Sequence, residues 1–153
     1  MKINEFFDQN HDLQSWQRSF AKAERTLLTG LSGTAQAMVM ANAYENNPDK
    51  YVIVTDNQYH ANELYDELTN LVEDEKVYQF FSDDNVYAEF AIASKDRTAY
   101  RLEALNFLLD TQQKGFLVVP FMALRSLLPH PDNFQENYLL LTQGDEFEMT
   151  SLL

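Results

Sequence analysis

A chain of 153 residues with 24 acidic and 11 basic side chains carries a net charge of -13, and 45% of it is apolar. The length suits one domain with a core of its own, and the charge opposes nonspecific binding to nucleic acid, so any such role falls to attached domains. The chain has no cysteine, which excludes disulfides and thiolate metal sites.

The start, MKINEFFDQNHD, is too acidic and interrupted for a secretory signal. Residues 1–22 read as a helical segment, with Ile3, Phe6, Phe7, Leu13, Trp16 and Phe20 available to dock on later elements of the chain. From there short apolar runs alternate with helix-like stretches. The runs are TLLT (26–29), YVIVT (51–55), VYQFF (77–81), FLVV (116–119) and YLLLT (138–142). Thr34 to Glu45 is a helix apolar on most sides, and NNPDK (46–50) is a turn. Over 57–72, Ala61, Leu64, Tyr65, Leu68, Leu71 and Val72 share one helical face, with Asn57 as N-cap. Over 95–113, Ala99, Leu102, Leu105, Leu108 and Leu109 line one side, Asp96, Arg97, Arg101 and Glu103 mostly the other, and Gly115 is placed to end the helix. FLVVPFMAL, the longest strongly apolar run, is too short to cross a bilayer. Pro129 and Pro131 close the segment after it.

Apolar strands separated by amphipathic helices predict an α/β fold, a mostly parallel sheet of about five strands flanked by helices. That domain covers 23–143. Residues 144–153, ending GDEFEMTSLL, read as the start of a following inserted domain, cut short on two leucines. A cytoplasmic protein with no membrane partner is expected.

TLLTGLSGTAQA (26–37) has the setting of a Walker A loop, G-x-x-x-x-G-K-[ST] between strand and helix, whose amides cradle phosphate. Counting from Gly30, the required glycine, lysine and hydroxyl fall on Ala35, Gln36 and Ala37. The close backbone approach, the cation and the magnesium ligand are all missing. Gly30 and Gly33 keep the turn, so the loop is P-loop NTPase-like but degenerate, and no cofactor is expected in this segment.

Other candidates are weaker. Asp83, Asp84 and Glu89 are adjacent carboxylates of a polar loop, and His11, His60 and His130 have no histidine or carboxylate ligand partner at i+4, so no metal site and no catalytic residue is assigned. Ser32 lacks an esterase elbow and reads as a helix cap. Tyr59 and Tyr87 are candidate interface aromatics, and Arg97 with Arg101, one turn apart, are candidates for gripping a phosphate or a partner carboxylate.

In order and spacing, LLTGLSGTAQAMVMANAYE, YVIVTDNQYHANELYDEL, RTAYRLEALNFLL, LVVPFMALRSLLP and LLLTQGDEFEMTSLL resemble the N-terminal region of the bacterial transcription-repair-coupling factors, which itself resembles the first domain of the excinuclease B protein. The resemblance covers about residues 10–153. It implies an ATP-dependent DNA translocase that displaces stalled RNA polymerase and recruits the excision-repair machinery, with ATP and Mg used by a motor far downstream. It implies an N-terminal module with a degenerate Walker loop, in keeping with Ala35, Gln36 and Ala37. Implied partners are other domains of the same polypeptide, the excinuclease A protein through the adjacent inserted domain, and RNA polymerase and DNA through other domains. The DNA-clamping hairpin of the excinuclease B protein has no counterpart in SDDNVYAEFAIAS, between Phe81 and Lys95. Two other readings stand beside this noncatalytic scaffold: an atypical nucleotide-binding P-loop domain, and a free-standing acidic protein-binding domain.

Overall fold

A computed structural model of the chain describes residues 10–22, 25–73, 76–81 and 95–136. Asn10 opens helix α1 (His11–Ala21), its side-chain oxygen accepting from the amides of Asp12 and Leu13 at 3.0 and 3.2 Å. The glycine turn leads into α2 (Thr34–Asn46), followed by β1 (Lys50–Thr55), α3 (Gln58–Leu71), β2 (Val77–Gln79), α4 (Lys95–Leu109) and β3 (Gly115–Pro120). A 3-10 turn (Phe121–Arg125) and α5 (Pro131–Glu136) come after the last strand.

The sheet is parallel, in the order β1-β3-β2. Lys50 pairs with Gly115 and Thr55 with Pro120, while Val77 and Gln79 pair with Phe116 and Val118. Every residue of the central strand β3 is buried, as its unbroken apolar run requires. Period-two alternation divides that strand between two cores. Phe116 and Val118 pack with Ala37 and Tyr44 of α2 and with Ala61, Leu64 and Leu68 of α3. Leu117 and Val119 face the other way, against Ala104, Leu105 and Phe107 of α4, with Phe80 and Ala123. Burying each of these large side chains contributes roughly 1.5–3 kcal/mol. At the edge of the first core, α1 stacks Trp16 on Phe20 and Phe20 on Tyr51, at 5.0 and 5.6 Å between centroids.

The parallel α/β architecture agrees with the expectation, but the described residues hold three strands rather than about five. Residues 26–29 form no strand. Leu27 is 88% exposed, while Leu28 and Leu31 pack against the Leu13–Val39 cluster, so burial of two leucines replaces strand pairing there. YLLLT (138–142) and the segment 144–153 lie outside the described residues, as do Ile3, Phe6 and Phe7.

Helix α4 ends at Leu109, earlier than the expected 113, and Lys50 donates to the carbonyls of Leu108 and Asp110 at 3.2 and 2.7 Å, satisfying that helix end. Gly115 therefore starts β3 instead of ending the helix. The buried face of α4 is Ala104, Leu105 and Phe107; Ala99, Leu102 and Leu108 are exposed. The expected stripe is rotated because the large ring of Phe107, stacked on Tyr78 at 4.4 Å, orients the helix on the sheet.

Candidate functional site

Gly30 and Gly33 both adopt positive φ, +82° and +54°. A Cβ added at either would meet nothing within 4 Å, so glycine serves the backbone conformation here, not a close approach. Gly33 is the N-cap of α2 and provides no side-chain bond. Ser32, expected to cap the helix, does not; it contributes only its carbonyl, which accepts from the Ala35 amide at 3.4 Å. The Gln36 amide likewise donates to the Gly33 carbonyl at 3.0 Å. Two first-turn amides are thus bonded within the turn, although anion cradles need them directed outward.

Each of the three substituted loop positions has a structural use or none. The Gln36 side chain folds back, Nε2 donating to the Leu31 carbonyl at 3.4 Å. Ala37, where a magnesium-holding hydroxyl would stand, is 0% exposed and belongs to the core with Leu64 and Leu68. Ala35 is half-buried.

A cleft of about 430 Å³ opens beside this loop, at the C-terminal end of β1, where parallel α/β sheets place their ligands. Gly33, Gln36, Met40, Ile53, Val54, Thr55 and Leu64 line it together with Asp56, His60, Glu63 and Glu67. No lysine or arginine is among its lining residues. Glu67 reaches the start of α2, its Oε1 accepting from the Thr34 hydroxyl at 2.7 Å.

The helix holding Glu63 and Glu67 is fixed by the cap that the sequence predicts: Asn57 Oδ1 accepts from the His60 amide at 2.9 Å. His60 Nδ1 lies 2.6 Å from Asp56 Oδ1. This hydrogen bond and charge hold His60 above the ordinary imidazole value of 6.5 and Asp56 below its usual 3.8. Tyr59 is 66% exposed, and its hydrogen bond with Glu63 raises its phenol above 10.0.

The acidic wall was missed in the sequence, yet it left a signal. Asp56, His60, Glu63 and Glu67 recur at spacings of four, three and four, which puts them on one helical face.

Of the remaining sequence-selected residues, none of the described ones lines the cleft. Arg101 Nη2 donates to the Leu127 carbonyl at 2.9 Å, and its guanidinium lies 5.3 Å from the Phe80 ring centroid. It ties α4 to the segment after the 3-10 turn. The side chain of Arg97, and Tyr87, Asp83, Asp84 and Glu89, lie outside the described residues. His11 and His130 are exposed, with His130 Nδ1 3.4 Å from Asp132 Oδ2. Among the described residues no three His, Asp or Glu side chains gather as a metal site, and no helix is long and apolar enough to cross a membrane. After β3, at the end of the longest apolar run and just past it, Phe121, Met122, Leu124, Leu127 and Leu128 are all exposed, Leu127 at 93%.

No family model and no solved structure matches the chain. Curated relatives do. The chain is 30% identical over 152 residues to the transcription-repair-coupling factor of Bacillus subtilis (strain 168), covering 98% of this chain. It is 27% identical over 146 residues to those of Staphylococcus aureus strains bovine RF122 / ET3-1 and USA300, covering 95% of it. The resemblance carried by the five sequence blocks therefore extends over nearly the whole chain. The chain spans 12–13% of the length of these relatives.

Proposed function

We propose that this chain is a noncatalytic scaffold and interaction module from the N-terminal region of a transcription-repair-coupling factor, working in transcription-coupled DNA repair in the cytoplasm. The observation that carries the noncatalytic reading is the fate of the loop. Gln36 is folded back onto Leu31, and Ala37 is fully buried among the side chains that join α2 to α3. Positions that would hold a cation and a metal ligand are used for packing and turn closure. The relatives support the repair assignment through their shared name and the near-complete coverage of this chain.

In this reading ATP and Mg belong to a motor elsewhere in the longer protein, as do the contacts with DNA and RNA polymerase. The module holds a following inserted domain, through which the excinuclease A protein is recruited, and contacts other domains of the same polypeptide. The exposed apolar side chains between Phe121 and Leu128 support an interaction role, because exposed large apolar residues close together in the chain suit a partner-binding surface.

Isothermal titration of the 153-residue chain with Mg-ATP tests the reading. No saturable binding is expected in the micromolar range. Submicromolar binding would instead establish an atypical nucleotide site and overturn the scaffold assignment.

A further inference from the structure

Loss of the Walker side chains does not by itself account for the electrostatics of the cleft beside the glycine turn. The start of α2 presents the positive end of the helix dipole, and the hydroxyl of its first residue, Thr34, points to an acceptor. In a working loop the anion held at such a helix start is a phosphate. Here it is Glu67 Oε1, 2.7 Å away, delivered from the facing helix α3. Asp56 and Glu63 line the same cleft, and its one imidazole, His60, is engaged by Asp56.

We infer that Glu67 is a built-in anion that takes the place of phosphate at the start of α2, so that this cleft is closed to phosphate by α3 as well as by the altered loop. A polyanion entering the cleft has to displace a tethered carboxylate and then sit beside two more, with no lysine or arginine of the lining to offset them. Repairing the loop alone therefore leaves the site repulsive. The inference rests on the noncatalytic reading and adds a second, separable barrier to it.

The test uses the 153-residue chain and inorganic pyrophosphate, titrated at one fixed ionic strength with backbone amide shifts as the readout. Three chains are compared: Ala35→Gly with Gln36→Lys; the same pair plus Glu67→Gln; and the same pair plus Asp66→Asn. The last makes the same change in net charge on α3 at a residue that does not line the cleft. Position 37 is left alone because it is in the core.

Glu67→Gln is expected to tighten pyrophosphate binding about tenfold or more over the loop-repaired chain, and Asp66→Asn to change it by less than about twofold. Equal binding with and without Glu67→Gln, including equally absent binding, overturns the inference. So does an Asp66→Asn effect as large as that of Glu67→Gln. Should Glu67→Gln fail to give a dispersed amide spectrum, Glu67→Ala is judged by the same criteria. Failure of the scaffold reading is distinct, since it would appear as Mg-ATP binding by the unsubstituted chain.

Discussion

Gly115 and Lys76 meet backbone to backbone: a Cβ built on Gly115 would lie 2.3 Å from the Lys76 carbonyl oxygen, at a φ of +154°. The Gly115 amide also donates to the Asp49 carbonyl at 3.1 Å, so this residue starts β3 between the two strands that flank it. Both steric room and backbone conformation require glycine. Gly115→Ala is expected to lower stability by roughly 2–4 kcal/mol, read as a fall in the denaturant midpoint at unchanged slope. A midpoint within experimental error of the parent would mean that the strand starts are not locked in this way.

Phe107 is fully buried, stacked on Tyr78, with the Lys50 ammonium 5.0 Å from its ring centroid. Removing the ring empties the core between α4 and the sheet and unseats the lysine that satisfies the helix end. Phe107→Ala is expected to cost about 3–5 kcal/mol in equilibrium unfolding. Leu102→Ala, on the exposed side of the same helix, is expected to change stability by less than about 0.5 kcal/mol. Reversed magnitudes would restore the leucine stripe that helical periodicity alone suggests.

Two residues that read alike as caps separate in the same way. Asn57 bonds the His60 amide, whereas Ser32 makes no side-chain cap bond to α2. Asn57→Ala is expected to cost about 1 kcal/mol in thermal or chemical unfolding. Ser32→Ala is expected to stay within about 0.5 kcal/mol of the parent.

The Asp56–His60 pair gives pH dependence of opposite sign at its two ends. His60 is raised in the folded chain, so its contribution is fully present below 6.5 and is lost as pH climbs through the higher folded value. Asp56 is lowered, so its contribution is present above 3.8 and is lost as pH falls through the lower folded value. Both groups are exposed, and the effect is read by titration of the imidazole resonances. Asp56→Asn is expected to move the His60 midpoint down toward 6.5; an unmoved midpoint would show that the carboxylate is not its cause.

How much of this was legible depended on whether a signal was local. The cap at Asn57 and the run FLVV could be read directly, because a cap bond spans three residues and a strand buried on both faces is apolar throughout. TLLT misled because strand composition is local but strand pairing is not. Leu28 and Leu31 found apolar partners on α1 and α2 without joining the sheet. Gly115 resembles a helix stop in local sequence because its true constraint, the carbonyl of Lys76, comes from a residue far earlier in the chain. In the site, the missing Walker groups were visible at 35–37, but the carboxylate at the start of α2 was not, since Thr34 and Glu67 are 33 residues apart.

Val52 and Val54 of β1 align in register with Leu117 and Val119, yet they are 52% and 49% exposed where their neighbours are buried under α4. Among the described residues, the coat on that side of the sheet stops one strand short and leaves two half-exposed valines on a chain carrying thirteen excess negative charges. These two features have opposing effects on colloidal behaviour. At neutral pH long-range repulsion keeps different molecules apart, whereas added salt, or acid in the carboxylate range, removes the repulsion and leaves the valines unchanged. Conditions chosen to quiet electrostatics in a binding experiment are therefore the ones that remove this chain's own guard against self-association.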